Sequence, residues 1–554
     1  MNSTPLIICF PQNNCHNIVN FNKNKADCPF FHSNDFCLLS TAGFKAFYSL
    51  HAIIYRIHRE IIMTDTQNKL PIWLKYSLLL VPVVIAFFRL RVLDNDFYFL
   101  YPTGEYIIKS GFPHTDMLSM HSGMKIVVQQ WLSSVVFYFA YAKLGKFGVF
   151  SILYICYWGI CALTYRLISE ITKNELVSVV LSVLCNLLIF DAFIVTRPHI
   201  FSLVILLGAV CLLEKYVQTG KRPFLFPIPV LSLALINFHA SMWAMLFILM
   251  LPYIVSAMPF HIKAVEHEPC CSLLDLLFVA AVSIVMGFLN PYGIENMLYL
   301  TTSFGNETIN KYIVEMKPMS LDTVFGKTFL IILAVAGTYL LLSKRKAFSL
   351  RFYLMFIGTL LLSLMHIKGS SYFLLFGLPS FSFMLKDFEL KKTGKEKLSK
   401  RTTALLVAFA SLFLAFVCYR FFFASRKSCQ FSDNYYKQLD SAIEIMEKSS
   451  EPVILYANFN DGQYFEFKGY HPYIDGRAEL FLAANNNEFD YFDEYYDLFR
   501  AKLYYRDFVD KYQFNYLVVN KEYNRYLYIS LLNDPDFELV YETEQTNLFV
   551  RKSV

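Results

Sequence analysis

Apolar runs about as long as a bilayer is thick follow one another along most of this chain. They lie near residues 72–90, 126–142, 147–168, 175–195, 198–217, 223–239, 241–259, 273–290, 327–343, 350–367, 371–386 and 403–424. A hydrocarbon core about 30 Å thick takes about 20 apolar residues of helix to cross. The mean hydropathy of +0.40 and a hydrophobic fraction of 56% in 554 residues are too high for a soluble chain of this length. The fold class to expect is a polytopic α-helical membrane protein of about 11–13 spans.

The charge balance divides the chain. From Gln430 to Val554 there are 22 acidic against 12 basic residues, −10, while the whole chain carries +6, which leaves +16 on the rest. A basic membrane part and an acidic soluble tail are implied. In the tail, 433–449 reads as an amphipathic helix and VILYAN at 453–458 as a buried strand. HPYIDGR at 471–477 reads as a second strand entering a turn, and 488–512 as helical. Three further strands follow at 516–520, 537–542 and 547–552. Together these make a small C-terminal α/β domain. The expected division is 1–62, an unstructured extension; 63–425, the transmembrane part; and 426–554, the α/β domain. The first segment holds Cys9, Cys15, Cys28 and Cys37 without a CxxC pair, so a zinc site has little support, and Met63 reads as a natural start.

Lys and Arg in the connections set the orientation. The basic stretches 386–401, 343–351 and 214–222 belong on the cytoplasmic side. Asn237-Phe238-His239, the loop 290–326, His366-Ile367-Lys368 and the tail then fall on the non-cytoplasmic face of a multi-pass protein of the cell membrane. An inside N-terminus and an outside tail demand an odd number of crossings. One segment, with 126–142 and 175–195 the suspects, is therefore re-entrant, interfacial or fused with a neighbour, and irregular backbone at that depth must line a cavity or water.

One polar stretch stands out, the loop 91–128 and the span start after it. It carries Asp94, Asp96 and Asp116 and ends in Gln129-Gln130-Trp131. Asp94 and Asp96 alone read as the end of a span; Asp116 and the aromatics that accompany them argue for a site. The order of several short motifs resembles the GT-C superfamily of integral membrane glycosyltransferases, bacterial members in particular. These are Asp94-Asn95-Asp96-Phe97-Tyr98, then Gly111, Pro113, Asp116 and Ser119, then Trp131-Leu132, with RPH at 197–199, NFHAS at 237–241 and YIDGRAELF at 473–481. The resemblance covers most of the chain from Met63 onward.

That resemblance implies transfer of a sugar from a polyprenyl-phosphate-linked donor to a glycan, lipid or protein acceptor. Such transfer needs a base for the acceptor proton and positive charge for the leaving phosphate. Asp96 takes the place of the loop aspartate that acts as base. Asp94 and Asp116 would orient the acceptor or hold a divalent cation, Mg or Mn, through oxygen ligands. Gln130, Arg197, His199, His239 and Lys368 are the further donor, acceptor or metal contacts. Each has a plainer reading: Arg and Lys near span ends snorkel to the interface, and His239 between apolar segments is a packing histidine or a sugar contact. Asp475 and Arg477 read as an ion pair closing a turn. A secondary transporter of lipid or sugar is the alternative, although the paired broken helices of transporter repeats are not visible. A non-catalytic envelope-assembly protein is a third reading. No Walker, GxGxxG or HExxH motif is present, and the partners expected are the bilayer, the donor and the acceptor, with no nucleic acid.

Overall fold

The computed structural model describes residues 70–89, 92–259, 265–266, 271–299, 307–342, 348–386, 433–449 and 451–552. All belong to one compact unit, Thr66–Val554. The expected extension 1–62, the apolar segment 403–424 and nearly all of the basic stretch 386–401 lie outside the described residues.

Helix α1 is Ile72–Arg89 and α2 is Phe97–Ser110, with the Asp94-Asn95-Asp96 corner between them. Gly111 ends α2 at a φ of 88° that favours glycine. The next helix, α3 (Trp131–Thr172), changes direction at Gly145, where φ is 58°. This break separates the two apolar segments read at 126–142 and 147–168. Then come α4 (Glu175–Phe193), α5 (His199–Thr219), α6 (Pro227–Phe238), α7 (Trp243–Ser256), α8 (Leu273–Gly287), α9 (Glu307–Tyr312), α10 (Val324–Leu342) and α11 (Leu350–Met365). Asn174 caps α4, its Oδ1 accepting from Val177 N at 3.2 Å. Residues 370–384 are buried throughout and wind as short irregular helical turns.

Among the described residues, α1, α3 and α5 are long and apolar enough to cross a membrane. Large side chains such as Phe87, Phe88, Phe147, Trp158 and Phe278 point outward from the helices. Faces of that kind suit lipid and would be costly in water. The chain is a membrane protein on this evidence. Where α5 and α11 meet, Arg351 forms a two-pronged pair with Glu214 at 2.9 and 3.1 Å. Tyr253 donates to the same carboxylate at 2.8 Å, so the buried charges are matched and hydrogen-bonded.

The tail contains α12 (Asp433–Met446), α13 (Gly462–Phe467), α14 (Tyr491–Phe499) and α15 (Tyr505–Tyr512), with strands β1 (Leu455–Ala457), β2 (Tyr516–Val519), β3 (Phe537–Glu542) and β4 (Asn547–Arg551). The sheet order is β1-β2-β4-β3. β1 runs parallel to β2, with Leu455 opposite Tyr516, and the other pairings are antiparallel. The strand expected at 471–477 is reduced to one bridge, Pro472 to Leu455, because the chain turns away to bring Arg477 inward. The helical stretch expected at 488–512 is two helices, split at Ala501 with φ 57°. Buried side chains of the tail, among them Tyr436, Leu439, Phe465 and Tyr516, share one hydrophobic cluster with the membrane helices.

Candidate active site

Ile194–Pro198, the polar break between α4 and α5, places Arg197 against the Asp94-Asn95-Asp96 corner. Arg197 Nε lies 2.6 Å from Asp94 Oδ1 and 3.2 Å from Asp96 Oδ2. Its Nη1 reaches Glu315 Oε1 at 2.6 Å. Thr196 Oγ1 accepts from Asp94 N at 2.8 Å, and Asp94 Oδ1 accepts from Asp96 N at 3.1 Å. Three carboxylates from two separate stretches of chain thus converge on one guanidinium.

A second cation stands close by. Lys368 acts electrostatically on Asp96, Glu315, His199 and His239. Among the described residues no carboxylate lies within ion-pair distance of its ammonium group. The loop that carries Lys368 is tied to the loop that carries Glu315: His366 Nδ1 shares a hydrogen bond with Met316 O at 2.7 Å, and Ile367 N donates to Lys317 O at 3.0 Å.

The charges shape the titration of the acids. Asp96 keeps 28% of its side chain exposed, yet burial of the rest pushes it up to about 7, against the pull of Arg197 and with help from Asp94 and Glu315. For Glu315 burial also raises the pKa, but Arg197 and Lys368 outweigh it and hold the carboxyl at about 2. One acid is therefore poised to exchange a proton near neutrality, and its neighbour remains a fixed anion.

Of the residues singled out from the sequence, Asp94, Asp96, Arg197, His199, His239 and Lys368 come together. His199 bonds through its ring to Phe193 O, and His239 Nδ1 meets Ser202 Oγ at 3.1 Å. Both histidines thus have packing partners as well as a place beside Lys368. Gln130 lies at the start of α3 and its buried Oε1 has no hydrogen-bond partner among the described residues. The contact with the NFHAS break is made by its neighbour: Gln129 O accepts from Ala240 N at 2.9 Å and Gln129 Oε1 from Ser241 N at 3.1 Å. Glu315 was not anticipated, since one acid among the four in the long loop 290–326 has no motif to mark it.

Asp116 belongs to a different cluster. It accepts from Arg477 Nη1 at 2.5 Å, and the same guanidinium contacts Asp475 Oδ2 at 2.6 Å and Glu466 Oε1 at 3.0 Å. Arg477 is 9% exposed and all three acids are fully enclosed. Burial raises the Asp116 pKa, but Arg477 and Ser119 outweigh it and keep it below the ordinary carboxylate range. Burial and the adjacent Asp475 push Glu466 well above it. Around the cluster the loop is sewn to the tail: Met120 N donates to Pro472 O at 3.1 Å and Lys125 N to Asn486 O at 3.1 Å. Asp94 and Asp116 are engaged by different arginines. Among the described residues no three metal-ligating side chains surround a common point.

No family model matches the chain, and no curated protein sequence does. Among solved structures, the crystal structure of the Archaeoglobus fulgidus oligosaccharyltransferase, tethered through a disulfide to an acceptor peptide containing the NVT sequon, superposes with a TM-score of 0.55. The match has 12% sequence identity and covers 87% of this chain and 74% of that one. At such identity the likeness is one of fold. On this chain's side the shared fold is largely helical and ends in a small C-terminal sheet.

Proposed function

We propose that this protein is a multi-pass membrane glycosyltransferase of the GT-C type. In this reading it moves a sugar from a polyprenyl-phosphate-linked donor to a glycan, lipid or protein acceptor on the non-cytoplasmic face. The observation that carries the reading is the pairing of a partly exposed, near-neutral Asp96 with two cations, one of which, Lys368, has no ion-pair partner among the described residues. The fold likeness to an enzyme crystallised with an acceptor peptide supports it.

Chemically the parts have separate tasks. Asp96 takes the proton from the attacking acceptor group as the new glycosidic bond forms, a role that suits a pKa near the working pH. Lys368, with Arg197 behind it, faces the negative charge that builds on the departing phosphate. Asp94 and Glu315 hold Arg197 in place and keep it charged. His199 and His239 line the same side and offer hydrogen bonds to phosphate or sugar hydroxyls.

The test is incorporation of labelled sugar by purified protein in lipid nanodiscs, supplied with a panel of polyprenyl-phosphate sugars and with peptide, glycan and lipid acceptors. Transfer by the wild type, and its decline by about a hundredfold to ten-thousandfold in Asp96→Asn, is the expected result. Transfer that persists in Asp96→Asn removes this base from the mechanism. Absence of transfer with every donor, together with facilitated movement of a lipid or sugar across the bilayer, replaces the enzyme with a transporter.

A further inference from the structure

The two aspartates that share Arg197 are separated by a residue engaged elsewhere. Asn95 is 6% exposed. Its Nδ2 donates to the carbonyl of Asn460 at 2.7 Å, and its Oδ1 accepts from the Tyr436 hydroxyl at 3.4 Å. Both partners belong to the tail. Consecutive side chains leave the backbone in different directions, so a fixed middle residue constrains the aim of the two that flank it.

The anchor is itself held firmly. Asn460 lies in the turn between β1 and α13, where Asn458 Nδ2 donates to Asp461 Oδ2 at 2.9 Å and the Tyr435 hydroxyl donates to Asp461 Oδ1. At Gly462 a Cβ would come 1.9 Å from Ile474 O, so the turn is pressed against the segment that leads to Arg477. Tyr436 packs 4.8 Å from Tyr98 and 4.8 Å from Tyr464, ring centre to ring centre. The first turn of α2 is thereby gripped from the tail side.

We infer that Asn95 is a positioning residue, through which the tail sets the orientation of Asp94 and Asp96 toward Arg197. The contact links two parts of the sequence that read as separate domains. Its consequence for transfer rests on the glycosyltransferase reading; its consequence for the titration of Asp96 does not.

The experiment uses the full chain in nanodiscs, with Asn95→Ala, Asn95→Asp and Tyr436→Phe compared with the wild type. The infrared band of the protonated Asp96 carboxyl, assigned by its loss in Asp96→Asn, is titrated in each. Asn95→Ala frees the corner and lets water reach the carboxyl, so its proton affinity should fall about tenfold. Asn95→Asp places a like charge beside it and should raise that affinity, and Tyr436→Phe should move it in the same direction as Asn95→Ala but less. Under the enzyme reading, kcat in Asn95→Ala should drop about tenfold to a hundredfold, with KM little changed. An Asp96 band that titrates identically in the wild type, Asn95→Ala and Asn95→Asp overturns the inference. A wild type without transfer sinks the enzyme reading alone, because the infrared midpoints decide the positioning role independently.

Discussion

Two clusters in this molecule have the same composition, one arginine and three carboxylates, and differ in what surrounds them. Around Arg197 the side chains of Asp94, Asp96 and Glu315 keep contact with solvent, and Lys368 adds a cation without an ion-pair partner among the described residues. Around Arg477 the three acids are fully enclosed and all of them pair with the one guanidinium. The first arrangement leaves electrostatic capacity for a ligand. The second uses its capacity internally and joins the loop 113–125 to the tail. Burial, rather than residue type, separates a candidate site from a staple.

The strongest way to break the comparison is to remove the centre of the buried cluster. Arg477→Ala leaves Asp116 and Asp475 facing each other without a cation, and loss of one partner from a buried ion pair costs about 3–5 kcal/mol. A large fall in thermal midpoint, together with protease access to residues 113–125, is the expected outcome. An unchanged melting curve would remove the staple.

Lys368→Met probes the other cluster. A charge-assisted hydrogen bond to phosphate is worth about 1.5–3 kcal/mol, so KM for the donor should rise tenfold or more while stability is kept. If donor KM does not change, Lys368 does not meet the phosphate.

The pH dependences should also diverge. Under the proposed mechanism transfer requires Asp96 without its proton, so kcat should rise with pH through about 7 and level off above it. Asp116 is depressed in the folded state, so its contribution to stability is complete above the ordinary carboxylate pKa of about 3.9. It is lost as the pH falls below that value. A pH–rate profile and a series of melting curves would resolve the two windows. The smallest effect is expected from Asp475→Asn, which keeps a hydrogen-bonding side chain beside Arg477. Transfer should be nearly intact, with a stability loss of about 1–3 kcal/mol.

Much of the candidate site could be read from the sequence because polar breaks between apolar runs are conspicuous. Asp94 and Asp96 follow an apolar run, Arg197 and His199 interrupt another, and His239 and Lys368 sit in short gaps where any ionisable side chain asks for an explanation. Glu315 escaped because its loop is long and polar, and only the meeting with Arg197, 118 positions away in the chain, gives it meaning. Asp116 was grouped with its loop neighbours, yet its partner Arg477 is 361 positions distant. The bridging of loop and tail is therefore a tertiary fact that local pattern cannot contain. The break at Gly145 preserved the reading of two apolar segments there, whereas the strand expected at 471–477 gave way to the demands of the Arg477 cluster.

The account rests on the two clusters having different roles, and the most direct test measures both in one assay. Asp96→Asn and Asp116→Asn are compared at equal amounts of folded protein, by transfer rate at neutral pH and by thermal midpoint. The prediction is a loss of about a hundredfold or more in rate for Asp96→Asn with little change in melting, against a lowered midpoint and a rate within a few-fold of the wild type for Asp116→Asn. A comparable collapse of the rate in folded Asp116→Asn, or a normal rate in Asp96→Asn, would contradict it.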